Sequence, residues 1–263
     1  VQVRHKAKKS LGQNFLQDDN IARKIVDSLK ISEKDSVIEI GPGQGALTKH
    51  ILEAGPKKLM LIEMDRNLAP ALEKEYPAAE VIQQDALKFI WEDLDPEKNW
   101  KIIGNLPYNV ASKLMWDIAA KSPAVNCVFM VQHEVGLRIT ADQGSKKYGG
   151  ISAWIKSYCE TQYLFKVPPT VFKPKPKVDS AVIKFYSLPN NEKPSDPEGL
   201  AGLIKYCFQY RRKQLGKILK SFVSDSLLQW MEEEGISLKD RPEALSPVQF
   251  QGLYNCIKND FPS

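Results

Sequence analysis

The sequence predicts an α/β fold with a mostly parallel sheet, followed by a small all-helical domain. Three observations predict it. Short apolar runs alternate with stretches of helical length, a glycine-rich turn follows the first run, and a polar, proline-rich stretch then gives way to a tail with helical spacing alone. A chain of 263 residues accommodates one large domain and an appendage, and the expected ranges are 1–188 and 189–263.

The elements follow in order. The basic opening, residues 1–9, lacks the apolar stretch and small-residue cleavage site of a secretory signal, so a cytoplasmic location is expected. Ile21, Ile25, Val26 and Leu29 share one helical stripe over 20–29. Apolar runs at 36–40, 58–64, 80–83, 101–104 and 126–132 then read as strands, with two more at 158–166 and 180–186. Their alternation with helix-length segments is βαβ organisation, which places ligands at the carboxyl ends of the strands. Pro189, Asn190, Asn191, Pro194 and Pro197 interrupt the pattern over 187–198, where the domain boundary is expected. Beyond it Leu200, Leu203, Ile204, Cys207 and Phe208 have helical spacing, and helix-like segments continue to Ile257.

Composition excludes several classes. Apolar residues make up 43% and charged residues 26%, and no apolar run approaches the roughly 18 residues of a membrane helix. No membrane association is expected. Cys127, Cys159, Cys207 and Cys256 are too widely spaced for a zinc ligand set or a disulfide framework, so no metal is expected. The net charge of +5 is unevenly spread. It concentrates at Arg4, Lys6, Lys8 and Lys9, at Lys173, Lys175 and Lys177, and at Arg211, Arg212, Lys213, Lys217 and Lys220. Three such clusters suit a polyanionic partner.

The glycine turn reads Glu39-Ile40-Gly41-Pro42-Gly43-Gln44-Gly45. About 20 residues later the second strand ends in Glu63-Met64-Asp65, where a carboxylate can accept hydrogen bonds from a ribose diol. Dinucleotide folds carry Gly-x-Gly-x-x-Gly, whereas this turn is Gly-x-Gly-x-Gly, which favours S-adenosylmethionine. Asp85, at the end of the third strand, can cap the following helix and also accept a hydrogen bond from the cofactor's adenine amine.

The fourth strand runs into Gly104-Asn105-Leu106-Pro107-Tyr108-Asn109. An adenine amine is a poor nucleophile because its lone pair is delocalised, so it needs orientation more than deprotonation. The Asn105 side-chain oxygen and a backbone carbonyl near Pro107 can accept its hydrogens and aim a pyramidal nitrogen at a methyl donor. Tyr108 supplies a stacking face for a base drawn out of its stack. Phe172 lies in a stiff loop rich in proline and lysine, which suggests exposure and a clamp in which Tyr108 and Phe172 sandwich the adenine. His133, beside Glu134 at a strand end, is given no acid-base role.

On Gly12-Gln13-Asn14-Phe15-Leu16, Glu39 to Gly45, Asn105 to Asn109, the 167–180 loop and Arg211-Arg212-Lys213, the chain resembles the ribosomal RNA adenine dimethyltransferases, in their bacterial KsgA (RsmA) branch. The resemblance spans nearly the whole chain. It implies a Rossmann-like S-adenosylmethionine-dependent methyltransferase domain with a helical C-terminal domain. The implied substrate is two adjacent adenosines near the 3′ end of small-subunit ribosomal RNA, each dimethylated at its exocyclic amine, with S-adenosylhomocysteine as product. By motif match the implied cofactor contacts are Asn14, Leu16, Gly41, Glu63, Asp85 and Asn105. The implied catalytic segment is Asn105, Leu106, Pro107 and Tyr108, with Tyr108 and Phe172 on the target base.

RNA contacts are expected at Lys173, Lys175, Arg211, Arg212 and Lys213, and a monomer is expected. The chain departs from the family at Ala111-Ser112-Lys113, and at Gly136 and Gly150, where alanine and arginine are usual. The rival readings are a resistance-type methyltransferase acting on large-subunit RNA, a non-catalytic assembly factor, and a protein or DNA amine methyltransferase. The 167–180 loop and Leu106 favour the small-subunit branch.

Overall fold

The computed structural model describes Lys8 and residues 12–261. Arg4, Lys6 and Lys9 of the first basic cluster lie outside the described residues. Two compact units emerge: the described residues up to Gly136 together with Thr161–Ser187, and Leu137–Glu160 together with the residues from Leu188 onward.

The first unit opens with a two-residue strand, β1 (Phe15–Leu16), and helix α1 (Asp19–Leu29). The Asp18 carboxylate caps α1 by accepting the Ile21 amide at 3.0 Å, and Ala22, Ile25, Val26 and Leu29 form its buried face. Then come β2 (Asp35–Ile40), α2 (Thr48–Glu53), β3 (Lys58–Glu63), α3 (Ala69–Glu75), β4 (Glu80–Gln83), β5 (Asn99–Asn105), α4 (Ala111–Lys121) and β6 (Asn126–Gln132). After α5 (His133–Ile139) and α6 (Gly150–Lys156), the sheet resumes with β7 (Cys159–Val167) and, following the short β8 (Phe172–Lys173), β9 (Ser180–Ser187).

The main sheet has the order β4-β3-β2-β5-β6-β9-β7. Neighbours from β4 to β6 are parallel, and β9 runs antiparallel to β6. Crossovers leave β2 in opposite directions, so the strand order reverses between β2 and β5. A crevice opens there at the carboxyl ends. Ile38, Ile102, Ile103 and Val128 are fully buried, as strands covered on both faces require.

The short strands β1 and β8 pair antiparallel, Phe15 opposite Lys173 and Leu16 opposite Phe172. This pairing seats Leu16 and Phe172 in the core with Ile25, Leu29, Val37 and Val167. Gly136 is a packing requirement: a Cβ there would approach the Ala181 methyl to 2.9 Å. The usual alanine would force α5 and β9 apart.

The second unit includes α7 (Pro197–Gln209), α8 (Leu215–Ile218), α9 (Asp225–Glu233) and α10 (Pro247–Ile257). Asp196, Ser224 and Ser246 cap α7, α9 and α10 through their side chains. Leu200, Leu203, Ile204 and Cys207 make the buried face of α7. A contiguous division at 188/189 omits α6, which clusters with this unit. A Cβ at Gly150 would stand 3.5 Å from both Ile204 and Phe208, and Tyr148 meets the Phe208 ring at 6.2 Å. Among the described residues no helix is long and apolar enough to cross a membrane.

Candidate active site

A pocket at the carboxyl ends of β2, β3, β4 and β5 is lined by Asn14, Leu16, Gly41, Glu63, Asp85, Asn105, Leu106, Pro107 and Tyr108. Residues scattered over nearly a hundred positions thus meet in one place. The glycine turn forms its floor: Gly41, Gly43 and Gly45 all have positive φ, at 63°, 60° and 77°. A Cβ at Gly43 would press on the Phe15 ring at 3.0 Å, and one at Gly45 would collide with the Tyr76 hydroxyl.

Two carboxylates at the end of β3 divide their labour. Glu63 lines the pocket, its Oε2 accepting the Gly43 amide at 3.1 Å and its Oε1 the Asp65 amide at 2.8 Å. Burial pushes the Glu63 carboxyl up, and the backbone amides partly offset this. The Met64 amide supports the carboxylate as well, and because a carboxylate offers about four acceptor positions, acceptor capacity remains for a ligand hydroxyl. Asp65 instead faces the N-terminal segment, pairing with Lys8 at 2.7 Å and Gln13 at 3.0 Å. Burial raises its carboxyl, but Lys8, the Asn67 amide and Gln13 outweigh burial and hold it at about 2. Asp85 caps the 3-10 turn Ala86–Lys88 through Oδ1, at 3.0 Å from the Leu87 amide. Its second oxygen remains available to the pocket.

The reacting turn is organised by hydrogen bonds. The Asn105 Nδ2 donates to the Asn14 carbonyl at 3.0 Å. A carbonyl can only accept, so the amide's NH2 is the group committed there and its oxygen is left for a ligand. The Leu106 amide donates to the Met130 carbonyl at 3.0 Å, and Leu106 is buried. The Pro107 carbonyl accepts the Val110 and Ala111 amides at 3.1 and 3.0 Å, opening α4. The neighbouring Leu106 carbonyl, also near Pro107 as expected, accepts no hydrogen bond among the described residues. Tyr108 is half-buried, and its hydroxyl lies 2.8 Å from the Ser180 hydroxyl at the start of β9, which fixes the ring. Burial raises the phenol, opposed by the Ser180 hydrogen bond.

Phe172 is a correction. It is 5% exposed and packed in the core opposite Leu16, so in this conformation it makes no sandwich with Tyr108. The flanking Lys173, Lys175 and Lys177 are exposed as their surroundings suggested. Alternation along β8 turns Phe172 inward while its lysine neighbour faces water. Arg211, also expected at RNA, has partners within its own unit. Its Nη2 donates to the Lys146 carbonyl at 2.7 Å and its Nε lies 3.7 Å from Glu243, so it braces the second unit. Arg212 and Lys213 are exposed, with the Lys213 ammonium 4.5 Å above the Tyr210 ring.

Glu39, Gln13 and Asp65 stand within the motifs quoted above, but sequence reasoning assigns none of them a role of its own. Glu39 lines the pocket fully buried and takes the Thr48 hydroxyl at 2.6 Å, with burial pushing its carboxyl up to about 8. Its position directly before the glycine turn was a usable signal. Gln13 and Asp65 meet only through tertiary structure. The donor and acceptor set fits a nucleoside with an amino-acid tail: glycine backbone on the floor, a buried carboxylate at one strand end and a capping carboxylate at the next.

The family model described as "Ribosomal RNA adenine dimethylase" matches residues 4–259. The chain belongs to the ribosomal RNA adenine dimethylase family. The chain is 76% identical over its whole length, and the whole of the relative, to "Ribosomal RNA small subunit methyltransferase A" of Maridesulfovibrio salexigens. It is 50% identical to the protein of the same description from Oleidesulfovibrio alaskensis, over 98% of this chain and 94% of the relative. Among solved structures, a dimethyladenosine transferase from Plasmodium falciparum superposes with a TM-score of 0.77 at 24% identity, covering 92% of this chain and 97% of that one. The 23S rRNA methyltransferase ErmE superposes with a TM-score of 0.71 at 20% identity, covering 93% and 100%. These two likenesses establish the Rossmann-like methyltransferase fold of this family member.

Proposed function

We propose that this chain dimethylates the exocyclic N6 amine of two adjacent adenosines near the 3′ end of small-subunit ribosomal RNA, using S-adenosylmethionine, during assembly of the subunit. When bound, S-adenosylmethionine supplies an activated methyl group. Glu63 would hold the ribose hydroxyls, Asp85 the adenine amine, and the Gly41 to Gly45 backbone the approach to the amino-acid tail. Asn14 and Leu16 close the same pocket from the N-terminal side.

The observation that carries the reading is the orientation of Asn105. With its NH2 held by Asn14, the amide presents an oxygen to the substrate amine. The Leu106 carbonyl is the second acceptor. Two acceptors on the two hydrogens draw the amine lone pair out of conjugation and direct it, without a base that removes a proton beforehand. The proton shed after transfer passes to water. Tyr108, held by Ser180, gives the flipped adenine a flat partner. Lys173, Lys175, Arg212 and Lys213 are exposed cations suited to phosphates.

The test is transfer of labelled methyl groups to undermethylated small ribosomal subunits, with the modified nucleotides mapped. Wild type should label paired adenosines at N6, and Asn105→Ala should lower kcat by roughly 10²–10³-fold, the usual cost of removing one transition-state hydrogen-bond partner. Labelling of large-subunit RNA instead, or of neither, would overturn the proposal.

A further inference from the structure

Asp65 is absent from the pocket wall, yet one wall of the pocket is fastened to it. Its side chain is fully buried. Oδ1 takes the Lys8 ammonium at 2.7 Å and the Asn67 amide at 3.0 Å, while Oδ2 takes the Gln13 amide nitrogen at 3.0 Å. Lys8 and Gln13 are also joined directly, the Lys8 amide donating to Gln13 Oε1 at 2.8 Å. Beyond Gln13 the chain enters the pocket: the Asn14 carbonyl holds the Asn105 amide, and the Phe15 ring rests on Gly43. An aspartate serving only its own turn needs one partner, the Asn67 amide. This one gathers two further side chains from a segment more than fifty residues away in sequence.

We infer that Asp65, Lys8 and Gln13 form a latch that positions the Gln13 to Leu16 wall, and so set how tightly and how long the cofactor is held without touching it. The inference rests on the pocket being the S-adenosylmethionine site. Asp65 and Lys8 are positioning residues. A released wall must be ordered again whenever cofactor binds, and apparent affinity falls by the fraction of molecules in which it is in place. Once the cofactor is bound, the wall and Asn105 regain their arrangement, so turnover at saturation is preserved.

The experiment measures S-adenosylhomocysteine binding to the full chain by calorimetry and its release by stopped flow, for wild type, Asp65→Asn, Lys8→Met and the double variant. Asp65→Asn keeps an oxygen for the Asn67 amide while removing the charge. Lys8→Met removes the opposite charge from a partly exposed position, so it carries the test even if the aspartate variant folds poorly. Each single variant should raise Kd roughly tenfold, in line with loss of one charge-assisted contact, mostly through faster release. The KM for S-adenosylmethionine should rise in parallel, with kcat on small subunits changing less than about twofold. The double variant should be no weaker than the weaker single one, because both remove the same contact. Unchanged Kd in Lys8→Met, losses that multiply in the double variant, or a fall in kcat at unchanged KM would each overturn the latch. Failure of wild type to bind S-adenosylhomocysteine would instead overturn the reading of the pocket.

Discussion

Glu39 sits fully buried at the pocket floor with the Thr48 hydroxyl on one oxygen and the Glu63 charge nearby. Burial first, then repulsion from Glu63, lifts its carboxyl to about 8 from an ordinary 4.5, against the pull of Thr48. Below pH 4.5 both native and unfolded chains hold the proton, and the group adds no pH dependence. Between 4.5 and about 8 the native state keeps a proton that the unfolded state releases, so stability falls as pH rises, by at most about 1.4 kcal/mol per pH unit. Glu39→Gln keeps an acceptor for Thr48 and cannot ionise. Its urea midpoint should exceed that of wild type by a margin that grows from pH 5 to pH 8 and vanishes near pH 4; parallel pH profiles would refute the assignment. At this scale the sequence was legible where chemistry is carried by a contiguous motif, as in Asn105 to Tyr108. It was not legible where partners lie far apart, as with Gln13 and Asp65, or where local composition misled, as with Phe172 among its lysines.

Helix α1 shows how an element is held by residues no local pattern reveals. Its C-terminal carbonyls meet two buried lysines: Lys184 Nζ lies 2.7 Å from the Ser28 carbonyl and Lys101 Nζ 2.5 Å from that of Lys30, which adopts a left-handed φ of 52°. A cation at a helix C-terminus opposes the partial negative charge there. Lys101 also pairs at 2.8 Å with Asp35, which is itself fully buried and takes Asn99 on its other oxygen. Lys101→Met would leave the buried Asp35 carboxylate without its counter-ion, still bonded to Asn99 and to the Ser32 amide and hydroxyl, and the expected loss of stability is about 3 kcal/mol. Changing Asp35→Asn in the same chain should recover part of that loss, which chemical denaturation of the three variants measures; equal stability of Lys101→Met and wild type would contradict the account. Five strands of the main sheet, β2, β3, β5, β6 and β9, were visible because buried strands write largely apolar runs, whereas the edge strands β4 and β7 are partly exposed and were placed by their position in the alternation. The two-residue strands β1 and β8 were not, since a pair so short has no periodicity and exists only because its ends are brought together.

Across the whole molecule the surplus of five positive charges supports a polyanionic partner, but individual cations differ in what they are free to do. Arg212 and Lys213 are exposed and adjacent, whereas Arg211 between them and the 146–147 lysines spends its guanidinium on the Lys146 carbonyl and Glu243. Sequence proximity alone groups the three together, because a contiguous basic triplet carries no mark of which side chain turns back into its own unit. The distinction has a measurable consequence. Each phosphate contact releases condensed counterions, and its loss lowers the slope of log affinity against log salt by about 0.7–0.9. Reversing Arg212 and Lys213 to glutamate should therefore weaken binding to small subunits and flatten the salt dependence, with thermal stability little changed. Reversing Arg211 places a carboxylate beside Glu243 and removes the donor to Lys146, so its primary effect should be a lower melting temperature. An Arg211→Glu protein as stable as wild type, with a salt slope flattened as much as in the Arg212 and Lys213 variant, would return Arg211 to the RNA-binding face and overturn its assignment as a brace.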